Sequence, residues 1–185
     1  AYLENQQEGK PVLQKNWFEN YSDGLIALSG AREGDIASYL MKNNKPVAAE
    51  ILQSWLRLFP NRFYLQLQRL GRPLEEEYIG SAIELAKEYS VPVVATNEVC
   101  FTGTEDFEAH EARVCINSGY TLNDPKRPKL YTNQQYLRSM EEMVSLFADI
   151  PSALTNSVEI AKRCNLEIEL DASFLPNFPI PAGMN

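Results

Sequence analysis

The chain has 185 residues, 44% of them hydrophobic and 23% charged, and a formal net charge of -8. That length and apolar content supply one sizeable core and argue against several independent domains. The acidic balance excludes a self-sufficient nucleic-acid-binding module, because backbone phosphates are held by clustered Lys and Arg, and no apolar run has the length to span a membrane.

Residues 1–15 are polar and include Gly9 and Pro11, which predicts a frayed opening stretch before packing begins at Trp17 and Phe18. A first strand is expected at 25–28, ending in Ser29 and Gly30. Ile36 and Leu40, one turn apart, predict a short helix over 35–42. Pro46 then opens a longer helix to Leu58, with an apolar stripe of Val47, Ile51, Leu52, Trp55 and Leu58. From Phe63 to Gln68, alternation of Phe63, Leu65 and Leu67 with Tyr64, Gln66 and Gln68 predicts a second strand. Pro73 starts the next helix, on which Ile79, Ile83 and Ala86 keep helical spacing. Glu75, Glu76 and Glu77 sit at its N-terminus, where the helix dipole favours negative charge.

The third strand lies in VPVVATNEVCF, Val91 to Phe101. An acidic helical segment follows and carries the only histidine, His110. Asp106 lies four residues earlier on the same helical face, so the pair is expected to hydrogen-bond or share a ligand, with His110 as a cap or tether. Glu105, Glu108 and Glu111 read as a solvated face. The densest basic run, Lys126, Arg127 and Lys129 in DPKRPKLY, reads as a proline-stiffened solvated loop, with phosphate contact as the alternative. From Asn133 onward the pattern turns helical through QQYLRSMEEMVSLFADI. Pro151 opens a further helix, a short strand is expected at 166–170, and an extended tail at 174–181.

Three strands alternating with helices predict parallel β/α units with right-handed crossovers. Unpaired sheet edges carry an expectation of association through them. The three cysteines, Cys100, Cys115 and Cys164, are widely spaced and form no Cys-x-x-Cys pair. A disulfide framework and a zinc-finger spacing are therefore disfavoured, a reducing cytoplasm is expected, and Cys115 and Cys164 read as small core residues.

Chemistry in α/β folds gathers at the C-terminal ends of strands. After the third strand that edge presents Thr96, Asn97, Glu98 and Cys100. No G-x-S-x-G, no second histidine, no P-loop and no dinucleotide fingerprint occurs.

VPVVATNEVCF, then DFEAHEARVCINSGYTLNDPKRPKLYT, then MVSLFADIPSALTNSVEIAKRCNLEIEL resemble the bacterial replicative DNA polymerase III alpha subunits in their N-terminal PHP (polymerase and histidinol phosphatase) domain. WFENYSDGLIALSGAREGDI and RFYLQLQRLGRP match the same family in the same order, so the resemblance covers nearly the whole chain. It implies an α/β fold, a partial PHP-type distorted β/α barrel with a helical C-terminal extension leading to the palm. Residues 1–132 are then the latter part of the PHP domain, and residues 133–185 its helical end and an extended linker.

The resemblance also implies a metal centre at the strand ends, built from His, Asp, Glu and sometimes Cys, because phosphoester cleavage needs metal ions to clamp phosphate and activate water. The family's last motif is Asp-x-His, and Glu98 and Cys100 stand in those two places. Such a pair could hold Zn2+ or Mn2+ with altered geometry, or be a relic satisfied by packing. Relatives with an intact site carry Cys after a Ser-Gly turn, whereas Ser29-Gly30 is followed here by Ala31 and then Arg32. These departures imply a degenerate centre. Two functions follow: a scaffold that supports the palm and docks the proofreading exonuclease subunit, or a metal-dependent phosphoesterase or 3'-5' exonuclease. DNA synthesis, with its Mg2+ and palm carboxylates, is assigned to the parent protein beyond Asn185. So are contacts to the sliding clamp, clamp-loader subunits and primer-template DNA, in the bacterial cytoplasm. Tyr120 and Tyr131, flanking the basic loop, are expected docking residues, with ordinary loop packing as the alternative.

Overall fold

The computed structural model describes residues 5–7 and 9–170. The polar opening stretch forms a two-stranded antiparallel hairpin, β1 (Gln6–Gln7) and β2 (Lys10–Pro11), where fraying is expected from composition. The short helix α1 (Phe18–Tyr21) follows. Strands and helices then alternate: β3 (Ala27–Leu28), α2 (Asp35–Leu40), α3 (Lys45–Leu58), β4 (Phe63–Leu67), α4 (Glu75–Tyr89) and β5 (Val93–Ala95). The C-terminal part is helical, with α5 (Phe107–Ser118), α6 (Met140–Leu146) and α7 (Pro151–Arg163). β3, β4 and β5 form a parallel sheet in that order, with Ala27 opposite Phe63 and Leu65 opposite Val93. No helix among the described residues is long and apolar enough to cross a membrane.

The alternation in β4 decides the core. Phe63, Leu65 and Leu67 are buried in one continuous cluster with Ile36 and Leu40 of α2, Ala48 and Leu52 of α3, Tyr78, Ala82 and Leu85 of α4, and Val93 of β5. Trp55 stacks on Phe63, centroids 6.0 Å apart and planes 9° from parallel, and its indole N–H donates to Asp35 at 2.9 Å. Phe147, Ile150 and Ala153 carry the same core into α6 and α7.

β5 is an edge strand whose outward carbonyls would otherwise be unpaired. α7 covers that edge with side chains: Asn156 donates to the carbonyl of Val93 and Ser157 to that of Ala95, each at 2.7 Å. At the far end of α7, Arg163 donates to the hydroxyl of Tyr64 at 2.7 Å. The α6–α7 turn is fastened by Arg69, which binds Asp149 at 2.7 Å and Glu76 at 2.8 Å and lies over the Phe147 ring at 5.1 Å.

Several expectations are corrected. The helix foreseen from Asn133 begins only at Met140, because Ser139 and Glu142 form a reciprocal capping box that fixes the first turn there. The residues before it run extended instead, with Tyr136 bridging Phe101 and the Leu137 N–H donating to the Phe101 carbonyl at 3.0 Å. The segment 166–170 is exposed and pairs with no strand among the described residues. Cys164, just past the end of α7, is exposed, whereas Cys115 is buried as expected. The tail at 174–181 lies outside the described residues.

Asp149 carries a testable consequence. Its hydrogen bond to Arg69 holds its carboxyl below the usual aspartate range. A lowered native value contributes stability that is present above the unfolded value and lost as pH falls through the folded one. Between about pH 5 and pH 2 the melting temperature of the wild type is therefore expected to fall more steeply than that of Asp149→Asn, measured by thermal unfolding across that range.

Candidate functional site

The three parallel strands deliver three loops to one edge: 29–34 after β3, 68–74 after β4 and 96–103 after β5. Polar side chains tie those loops together. The backbone N–H of Gln66 donates to Ser29 Oγ at 2.9 Å, and its side-chain amide donates to Thr96 Oγ1 at 2.7 Å. Tyr78 of α4 donates to the Gln66 carbonyl at 2.9 Å, and burial pushes its phenol up to about 12, so it stays a neutral donor. Gly34 closes the first loop. A Cβ there would lie 1.9 Å from the carbonyl oxygen of Ser29, so only glycine permits this approach. Ala31, in the place where the resemblance looks for cysteine, is buried in the turn.

The second loop is shaped by a buried carboxylate. Glu75, at the first turn of α4, accepts from the N–H of Leu70 at 3.0 and 2.9 Å and from the N–H of Arg72 at 3.1 Å. Its role is therefore more than a favourable interaction with the helix dipole, and Glu76 is likewise committed, to Arg69. The clamp directs Arg72 across the sheet edge, where one terminal nitrogen binds Glu98 at 3.0 Å and the other reaches Glu33 at 3.5 Å. The Arg72 side chain is 13% exposed and that of Glu98 43%. Beside the pair lies an open cavity of about 470 Å3, whose lining includes Arg32, Lys129, Tyr131 and Thr132.

Cys100 makes its hydrogen bonds to a later segment of the chain. Its backbone N–H donates to the Gln135 carbonyl at 2.8 Å, and its sulfur accepts from the Gln135 side-chain amide at 3.5 Å. Burial, followed by the charge of Glu98, pushes the thiol up, while Arg72 and Arg113 pull weakly the other way. A thiol shifted in this direction is a weaker nucleophile at neutral pH than an ordinary one. Gln135 itself is fully buried and also accepts from the Thr132 N–H at 2.9 Å, pinning the extended segment against the third loop. Asn97 donates to the Tyr136 carbonyl at 2.7 Å and completes that seam.

His110 is buried in an aromatic setting, with the Phe101 ring 5.4 Å and the Tyr131 ring 4.6 Å away, the latter edge-on. The expected link to Asp106 is not made, because that carboxylate accepts from the Gly103 N–H at 2.9 Å and caps its own helix turn. His110 Nε2 is buried with no partner among the described residues. Glu111, expected on a solvated face, is instead buried and paired with Arg127, which also donates to the Leu122 carbonyl at 3.0 Å. This splits the basic run: Arg127 fastens its own loop to α5, while Lys129 lines the cavity. Tyr131 packs on His110, and Tyr120 is exposed just beyond α5.

A metal centre needs several donors converging on one point. Glu98 and Cys100 stand on the same loop, but the carboxylate is engaged by a guanidinium and the thiol by an amide. Among the described residues no group of three or more His, Cys, Asp or Glu side chains is arranged to hold an ion. Arg72, Glu75 and Gln135 organise the edge; Arg72 and Gln135 are absent from the sequence expectations, and Glu75 figures there only as a charge at a helix N-terminus. Arg72 had a readable signal, since it follows the second strand as Glu98 follows the third.

The chain is a parallel α/β unit with its polar edge at the strand ends, and residues 1–70 match the PHP domain family. Other similarities are longer. The chain is 49% identical over 184 residues to DNA polymerase III subunit alpha of Pseudomonas aeruginosa, covering 100% of this chain and 16% of that protein. It is 51% identical over 179 residues to the same subunit of Vibrio cholerae and 49% identical over 179 residues to that of Escherichia coli, in both cases 97% of this chain and 15% of the relative. The chain is thus similar over nearly its whole length to DNA polymerase III alpha subunits, and it spans about 15–16% of the length of these curated relatives.

Glu75→Ala removes the acceptor for two loop N–H groups and is expected to cost about 1–3 kcal/mol, the penalty for stranded buried donors. Urea unfolding of the variant beside Glu77→Ala, an exposed neighbour, measures it.

Proposed function

We propose that this chain is a PHP-type platform of the replicative polymerase, a partial distorted β/α barrel whose metal centre has been replaced by a fixed ion pair. The observation that carries this reading is the 3.0 Å bond between Arg72 and Glu98. A guanidinium is permanently charged and competes with any divalent cation for the same carboxylate, while repelling that cation from the cavity. The Gln135 amide on the Cys100 sulfur and the alanine at position 31 support the same reading. In the family correspondence, residues 1–132 are the latter part of the PHP domain, and 133–185 lead toward the palm.

Similarity over the whole chain to proteins named DNA polymerase III subunit alpha supports a parent that is a DNA-directed nucleotidyltransferase. Its Mg2+ and palm carboxylates belong to regions outside this chain, and its primer-template, sliding-clamp and clamp-loader contacts belong to the parent in the bacterial cytoplasm. For the chain itself, a net charge of -8 favours a protein partner over a nucleic acid. We assign it to docking the proofreading exonuclease subunit, with the exposed Tyr120 a better contact than Tyr131, which is engaged by His110.

The test is the metal content of the protein purified without chelator, by elemental analysis, beside Glu98→Ala, Cys100→Ala. The expected result is no stoichiometric zinc or manganese in either. Bound metal that disappears in the variant would instead show a working metal site and favour the metal-dependent phosphoesterase or 3'-5' exonuclease reading, to be followed by nuclease assays.

A further inference from the structure

We infer that the apolar groove between the third loop, α6 and α7 is the seat of residues 171–185 of this same chain, anchored by Phe174, Leu175, Phe178 and Ile180. The groove encloses about 320 Å3 and is walled by Val99, Leu137, Met140, Val144, Leu154 and Val158. All of these but Leu154 are exposed, Leu137 to 62% and Met140 to 75%. Apolar surface gathered in this way from separate segments marks a place where something packs.

The polar groups at the rim decide what kind of occupant fits. Asn97 donates to the Tyr136 carbonyl and Ser157 to the Ala95 carbonyl, each at 2.7 Å, while Thr96 accepts from Gln66. Arg138, the one charged residue in the lining, donates to the Gln134 side chain at 2.6 Å and to the Tyr136 hydroxyl at 3.1 Å. With that cation committed to neutral acceptors and no carboxylate in the lining, the groove has little with which to select an ion. Its chemistry suits an apolar, uncharged segment.

The chain supplies one. Residues 171–185 lie outside the described residues, and 172–185 carry no charged side chain in a protein that is 23% charged. FLPNFPI, residues 174–180, brings the four apolar anchors together, and Pro176, Pro179 and Pro181 favour extended backbone and remove N–H donors that burial would strand. Methionine in the groove wall adapts to a surface ridged by proline. Reach is sufficient: Val158 and Leu154 stand roughly 8 to 14 Å back along α7 from Arg163, whereas the stretch from Arg163 to Phe174 spans up to roughly 34 Å when extended. Tethering gives this segment an effective concentration on the order of millimolar, well above that of a second copy at micromolar protein. Seated there, it ties the chain that leaves α7 to the loop carrying Glu98 and Cys100.

A fluorescently labelled synthetic peptide of residues 171–185, titrated by anisotropy into the whole 185-residue chain, tests the assignment. Phe174→Ser, Phe178→Ser frees the groove, so this variant is expected to bind the peptide saturably. Its affinity should exceed that of the wild type by about tenfold or more, because the tethered copy competes in the wild type. Adding Val144→Glu or Val158→Glu, both at exposed helix positions, should abolish the gain. Circular dichroism matching the wild type controls for folding of each variant.

Peptide bound equally by the wild type and the tail variant, bound by neither, or bound regardless of the Val144 and Val158 substitutions overturns the proposal. Sedimentation separates the competing occupant. A wild-type dimer that Val144→Glu dissociates assigns the groove to a second copy and overturns the intrachain seat, whereas a monomeric wild type that excludes the peptide agrees with it. The metal assay addresses the loops at the strand ends, and neither of its outcomes alters this test.

Discussion

The buried carboxylate of Glu75 accepts the backbone N–H groups of Leu70 and Arg72, and so fixes the loop that leaves the central strand of the sheet. That loop carries two arginines with opposite destinations. Arg69 runs to Glu76, Asp149 and the ring of Phe147, fastening the C-terminal helices. Arg72 runs over the sheet edge to Glu98 and Glu33. A single desolvated acid thus couples the packing of one end of the chain to the electrostatics of the other. Removing it leaves both arginines without a defined origin.

The Arg72–Glu98 pair matters through occupancy more than through stability. With Glu98 nearly half exposed, solvent screens the attraction, and pairs of this kind contribute little to folding. A guanidinium held on the carboxylate nevertheless changes what the edge can attract. Negative charge that would draw a cation is neutralised locally, while Arg32 and Lys129 remain in excess around the same cavity. The neighbouring Cys100 sulfur is engaged by the Gln135 side-chain amide.

Much of the framework could be read from residue patterns. Alternation in Phe63–Leu67 and the β-branched run at Val91–Val94 gave strands, and the Leu52 and Ile79 stripes gave helices, because burial on one face imposes a period. The sequence also identified the third loop as the place where Glu98 and Cys100 emerge. It did not reveal their partners. Arg72 lies 26 residues from Glu98, and Gln135 lies 35 from Cys100, distances over which local pattern carries no information. Glu111 was misread for the same reason: its helical position looked solvated, and the residue that buries it, Arg127, arrives from a later loop. The segment before Met140 misled through its composition, since it is rich in helix-forming residues but pinned extended by Gln135 and Asn97.

The closure of β5 by α7 gives the sheet a direction. Asn156 and Ser157 occupy the carbonyls at that border, as a neighbouring strand would, so no further strand can add there without first lifting the helix. At the opposite border β3 pairs only inward, to β4, among the described residues. Among the described residues the sheet is therefore capped on one flank and open on the other, so its two borders are not equivalent.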